Sequence, residues 1–240
     1  MSARTIRRLG WLLAALVGAA FFISYIVYPR IEPAAFYHDV LGIDVSHHQG
    51  DIDWDAAARD GVGFAYIKAS EGETFNDPRF SRNWFAAEQA GIVRGAYHFF
   101  TLCRSGKQQA ENFMRVVPED PNALPPVVDA EHMGPCSDRP AIADPAAEID
   151  IFARMLTAHY RKPPIIYTTR EFHDAHLAGK FPKARFWIRS LMVPPRFRQS
   201  QWSFWQYHNR GMRDGISGPV DLNAFRGTRA ELEALASPPD

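Results

Sequence analysis

The chain has 240 residues, 46% hydrophobic and 22% charged, which suits one globular domain of barrel size with a short extension and excludes repeat or low-complexity architectures. Basic and acidic residues balance at 27 each, but Arg4, Arg7, Arg8 and Arg30 against Glu32 leave residues 36–240 with 23 basic and 26 acidic side chains, a formal −3. A mildly acidic domain is a poor nucleic-acid binder, and no nucleic-acid partner is expected.

The first predicted element is a membrane segment. Residues 1–8 read as a short basic cytoplasmic tail, and Leu9–Tyr28 form a run of 20 residues without a charge, close to the length that spans a bilayer. Two fates compete, a cleaved signal peptide and an uncleaved signal anchor. Phe21-Phe22-Ile23-Ser24-Tyr25-Ile26-Val27-Tyr28 carries the apolar run past Ala19-Ala20, which favours the anchor. Residues 29–38, with two prolines, read as a brief linker, and 39–240 as the folded domain. That domain is then exported and membrane-tethered, or secreted if the leader is removed.

Within the domain, strands and helices alternate. Gly42-Ile43-Asp44-Val45 is a short apolar strand carrying an inward acid, followed by the polar loop Ser46-His47-His48-Gln49-Gly50. Asp53 caps a short helix through Ala58, and Phe64–Ile67 is the next strand. Phe80, Trp84 and Phe85 recur at helical spacing between Asp77 and Ala90, and Gly91 ends that helix. Strand Val93–Phe100, a helix from Ser105 and a strand ending at Asp129 follow. Asp144-Pro145 opens a helix to about Tyr160 with a cap and a first-turn proline. Beyond strand Ile165–Thr168 comes a shorter helix near Glu171–Leu177. Then Phe186–Arg189, Phe204–Tyr207 and Val220–Leu222 follow with few helical signals between them, and a terminal helix runs from Arg229 to Ala236.

Pro125-Pro126-Val127-Val128-Asp129-Ala130-Glu131-His132 carries the clearest chemistry. Side chains alternate faces along a strand, so Asp129 and Glu131 point the same way. Neighbouring carboxylates resist ionising together, so one is expected to hold a proton while the other stays charged, which suits general acid–base work on a glycosidic or other acid-labile bond. Taken alone, a D-x-E pair is better explained by two exposed acids at a strand end that bind nothing. Asp44 and Asp221 bring the count to four acids at similar strand ends, and β/α barrels gather such positions at one mouth.

The ordered segments GIDVSHHQG, YIKASEG, GAYHFF, PPVVDAEH, PIIYT, FWIRS, FWQY and GPVDLNAF, from Gly42 to Phe225, resemble the glycoside hydrolase family 25 lysozymes, the Chalaropsis-type N,O-acetylmuramidases. The resemblance implies an α/β fold, a modified TIM-like barrel of eight strands with helices mainly after the first five. It also implies cleavage of the β-1,4 bond between N-acetylmuramic acid and N-acetylglucosamine in peptidoglycan. Glu131 is the expected general acid and Asp129 the expected ionised partner. Asp129 would either steady the substrate's own attacking acetamide or take part in activating water. Asp44 and Asp221 are expected to hold water, substrate or the acid's orientation. Lys68, Glu71, Tyr97, Tyr167, Trp187 and Gln206 match family positions near the substrate cleft, although an aromatic in a barrel strand is as often core as ligand contact. Arg189 stands where many relatives carry a small residue, and either enters the cleft or pairs with an acid.

Cys103 and Cys136 lie in loops after what would be consecutive strands, so a disulfide fits an oxidising compartment, with two free thiols as the alternative. No coenzyme fingerprint or dedicated metal site is visible, and a cofactor-free monomeric hydrolase is expected. Adjacent His47-His48 and the spaced His173 and His176 raise a metal-dependent carbohydrate hydrolase or deacetylase as an alternative, without an H-E-x-x-H signature around His173 and His176. A membrane-tethered, catalytically silent peptidoglycan-binding protein is the remaining reading.

Overall fold

The computed structural model describes residues 3–134, 136–138 and 140–238, apart from the side chains of 3, 6 and 9. Two residues of the expected cytoplasmic tail, Met1 and Ser2, and four of the expected barrel domain, Pro135, Arg139, Pro239 and Asp240, lie outside the described residues.

Eight strands close into a barrel. In chain order they are β1 (Val40–Val45), β2 (Phe64–Glu71), β4 (Val93–Phe99), β5 (Val127–Ala130), β6 (Ile165–Thr168), β7 (Phe186–Arg189), β8 (Trp202–Gly211) and β9 (Val220–Phe225). A two-residue strand β3, Phe75–Asn76, folds back on the end of β2 and was not foreseen. Seven barrel strands run parallel; β9 runs antiparallel to both β8 and β1 and closes the ring.

Period-two alternation builds the interior. Phe64 and Tyr66, Val127, Ile165 and Tyr167, Trp187, Phe204 and Phe225 form the buried inner cluster. Gly42 and Gly95 are where this packing requires glycine, because an added Cβ would collide with the rings of Phe64 and Tyr66. One pleat further toward the mouth, the same columns continue as Lys68, Asp129, Arg189, Gln206 and Asn223. The apolar plug thus gives way to polar groups along each strand.

The opposite faces, among them Ile67, Ala96, Val128, Ile166 and Ile188, pack outward on the helices. Helix α2 (Trp54–Arg59) is capped by Asp53, α4 (Gly106–Val116) by Ser105 and α5 (Pro145–Tyr160) by Asp144, each side chain accepting a hydrogen bond from an orphan backbone N–H. Helix α3 spans Phe80–Gln89 and α7 Arg229–Ala236. The expected helix near Glu171–Leu177 is a three-residue turn, α6 (Arg170–Phe172), continued by a π turn over His173–Leu177.

No comparable helix covers β8. Helix α1 (Ala3–Phe22) continues through a π turn at Ile23–Val27 into the short turn Tyr28–Arg30. The next residues, expected as a linker, lie on the barrel instead. Ala34 is fully buried, and the ring of His38 meets Trp202 and Trp205 edge-on. The outward aromatic side chains of β8 need cover, and this segment supplies it in place of a helix.

Candidate active site

A cleft of about 460 Å³ opens at the C-terminal ends of the parallel strands. All ten side chains singled out for catalysis and binding line it: Asp44, Lys68, Glu71, Tyr97, Asp129, Glu131, Tyr167, Trp187, Gln206 and Asp221. Asp221 arrives differently from the expected strand end. It sits at the start of β9, and only because β9 runs antiparallel does this start lie at the mouth, opposite Asp44 in the register.

The four acids are crowded together, Asp44, Asp129 and Glu131 buried and Asp221 half-buried. Asp44 Oδ1 accepts from Asn223 Nδ2 at 2.7 Å and Gln206 Nε2 at 2.9 Å. Behind them, Tyr167 donates its hydroxyl hydrogen to Gln206 Oε1 at 2.9 Å, and Trp187 Nε1 donates to Asn223 Oδ1 at 2.9 Å. Asp44 therefore stands at the head of a fully partnered network. By contrast, Asp129 Oδ1 and Glu131 Oε2 are buried and have no hydrogen-bond partner. Arg189 Nη1 lies 3.1 Å from Glu131 Oε2, an ion pair by distance without hydrogen-bond alignment. Buried polar atoms left unpaired at a cleft wall are where a ligand's own donors are needed.

Burial raises the proton affinity of all four acids. Asp129 is pushed well above the usual carboxylate range by desolvation and by the neighbouring charges of Glu131 and Asp44. Glu131 is raised by desolvation, with Arg189 pulling the other way and Asp44 adding to the rise. Asp44 is raised by desolvation against its two amide donors, and Asp221 is pushed up to about 8 by desolvation and by Asp44. Burial and the charges of Glu131 and Asp44 oppose ionisation of Asp129, while Lys68 and Arg189 favour it.

The aromatics divide. Trp187 and Tyr167 are 2% and 5% exposed, and Trp187 stacks on Tyr66 with centroids 5.1 Å apart inside the barrel. Their polar edges position Asn223 and Gln206, while their ring faces are core. Lys68 Nζ pairs with Glu71 Oε2 at 2.7 Å and lies over the Phe99 ring at 4.9 Å. Asn223, Gln49, Asn209 and Met133 were not singled out from sequence, and His48, considered only as a metal ligand, lines the cleft. Asn223 was within reach, since it shares the inward face of β9 with Asp221 at spacing i, i+2. Met133 and Gly134 join the wall through the Cys103–Cys136 disulfide, whose Cα atoms are 5.4 Å apart and which ties down the loop after Glu131.

His173 and His176 do not line the cleft. The Nδ1 of His173 is 2.9 Å from Asp174 Oδ1, and its Nε2 accepts from Arg198 Nε at 3.0 Å. The ring of His176 packs on His132 and Phe172.

A β/α barrel with paired carboxylates and a deep polar cleft at its mouth defines a glycoside hydrolase. The model of the glycosyl hydrolases family 25 matches residues 43–216, and the chain belongs to that family. It is 38% identical to Lysozyme M1 of Streptomyces globisporus over 212 residues, covering 82% of this chain and 71% of the relative. Identity is also 38% to the uncharacterised protein YegX of Escherichia coli K12, over 85% of this chain and 75% of YegX. Among solved structures, a family 25 glycosyl hydrolase from Bacillus anthracis superposes with a TM-score of 0.76 at 38% identity, over 82% of this chain and 93% of the other.

Proposed function

We propose that this glycoside hydrolase cleaves the β-1,4 bond between N-acetylmuramic acid and N-acetylglucosamine of peptidoglycan, with Glu131 as general acid. The observation that carries the proposal is the pair of buried oxygens without a hydrogen-bond partner, Asp129 Oδ1 and Glu131 Oε2, at spacing i, i+2 at the end of β5. Glu131 is the outer of the two and faces Arg189, so it meets the leaving glycosidic oxygen, protonates it and regains a proton from the open side of the cleft. Lysozyme M1 and the N,O-diacetylmuramidase of Chalaropsis are relatives whose names state this activity.

In this reading the substrate's 2-acetamido oxygen attacks the anomeric carbon as the bond to the leaving oxygen breaks and Glu131 delivers its proton there. Water then opens the resulting oxazolinium ring and returns a proton to Glu131, while Asp129 steadies the positive charge on the acetamide. Asp44 and Asp221 hold the field and the hydroxyls; Lys68, Glu71 and Gln206 order the sugar.

The proposal includes the chain's setting: residues 9–28 as an uncleaved anchor, the barrel as a monomer outside the cytoplasm, and residues 1–8 inside. An apolar helix over Gly10–Arg30, whose most apolar 18-residue window has mean hydropathy 2.1 and no buried residue, supports the anchor.

The test is mass spectrometry of soluble products from purified peptidoglycan, with Glu131→Gln run beside the wild type. Muropeptides ending in reducible N-acetylmuramic acid, with a 10²–10⁴-fold loss of rate in the variant, are expected on the scale of general-acid catalysis. Deacetylated but intact glycan, or near-wild-type activity of the variant, would refute the assignment.

A further inference from the structure

The chain ahead of β1 runs along the outside of β8, in the opposite direction. His38 meets Trp202 and Trp205. Glu32 accepts from the Tyr207 hydroxyl and from both terminal nitrogens of Arg213, each of the latter at 2.6 Å. The carbonyl of Tyr28 lies 2.8 Å from His208 Nε2, and the two rings are 4.4 Å apart. Arg210 then sits over the ring of Tyr25 at 5.4 Å. As residue numbers fall from 38 to 25, their partners on β8 rise from 202 to 210.

That progression has a direction. β8 climbs toward the mouth, where Gln206 and Asn209 line the cleft. The apolar helix therefore leaves the barrel at the cleft-bearing end, with every side chain described from Gly10 to Val27 exposed. The junction is built rather than slack. Pro29 is buried, the Arg213 side chain is 7% exposed, and a two-pronged Arg–carboxylate pair resists rotation. Tyr25, Tyr28, Arg30 and Arg210 cluster at this level, the residue types that mark a membrane–water interface.

We infer that the clamp between residues 25–38 and β8 holds the catalytic mouth toward the bilayer, so that the substrate is glycan held at the membrane surface rather than strands in outer wall layers. The inference rests on the anchor reading and deepens it: the anchor sets which way the enzyme faces. A slack linker would leave the cleft free to face any direction.

Site-selective quenching in vesicles tests this. Cys103 and Cys136 are bridged and no described cysteine is free, so one introduced thiol takes a fluorophore selectively. The full chain carries it either at Met212→Cys, exposed at the rim, or at Lys183→Cys, exposed below the start of β7. Both are reconstituted in phosphatidylglycerol–phosphatidylethanolamine vesicles doped with a headgroup-nitroxide lipid. Quenching several-fold stronger at position 212 is expected, falling toward equality when a flexible Gly-Ser segment is inserted between Val27 and Tyr28. Equal quenching in the native chain, or full asymmetry surviving the insertion, would overturn the inference. Glycan strands bearing a lipid at their reducing end, placed in the same vesicles, should be cut at least several-fold faster than the same strands free in solution; equal rates would overturn the substrate assignment. Release of the chain by carbonate would instead remove the anchor reading, and inactivity of the detergent-solubilised chain on purified peptidoglycan would remove the hydrolase reading.

Discussion

Replacing Asp221 by Asn should stabilise the fold at neutral pH and leave it unchanged in acid. The proton affinity of Asp221 rises from 3.8 to about 8, because burial and Asp44 both oppose its charge. A folded-state value above the unfolded one means that the fold binds the proton more tightly. Its contribution is therefore fully present below pH 3.8 and is lost progressively as pH rises toward 8. At about 1.4 kcal/mol per unit, the loss by pH 7 is roughly 4 kcal/mol if Asp221 acts alone. Asp44 shares the proton, which brings the recoverable part to about 2 kcal/mol. For a domain of this size that is a Tm gain of ~4–8 °C. Thermal denaturation of wild type and Asp221→Asn across pH 4–8 measures it. A gain that is absent at pH 7.5, or equally large at pH 4, would refute the claim that the mouth is strained by crowded, desolvated acids. The variant should also lose activity, so that stability and catalysis move in opposite directions.

The other predictions concern the acid pair and the wall of the cleft. Arg189→Met removes the cation that lowers the proton affinity of Glu131, so the descending alkaline limb of kcat should move to higher pH; an unmoved limb would leave Arg189 without a part in tuning the acid. Asp129→Asn should bind glycan yet turn over at least ~10²-fold more slowly, read from initial rates beside a binding isotherm. If it alone is inactive while Glu131→Gln retains activity, the two roles are reversed. Cys103→Ser with Cys136→Ser opens a link across a sequence separation of 33 and should cost about 4 kcal/mol of loop entropy, ~8–16 °C in Tm. Calorimetry showing no loss would mean that the loop after Glu131 is held by packing alone.

Much of this was legible because its causes are local. Asp53, Ser105 and Asp144 cap their helices through bonds to N–H groups two or three residues away, so short sequence windows suffice to place those starts. Asp129 and Glu131 share a face by strand geometry alone. The misplaced features depend on partners far along the chain. The pairing of β3 with the end of β2, the π turn at His173–Leu177 and the packing of residues 29–38 on β8 leave no periodic trace in sequence.

By itself, then, the chain determined its alternating strands, its membrane-length apolar run and the identity of the acids, all properties of spacing and composition. Tertiary structure decided what those acids do to one another. Only closure of the ring by an antiparallel β9 sets Asp221 against Asp44, and only burial in that ring adds desolvation and the charge of Asp44 to the local repulsion between Asp129 and Glu131. Desolvation, and the repulsion of Asp44 with residues about 90 and 180 positions away, act through space, so no local reading of the chain contains them.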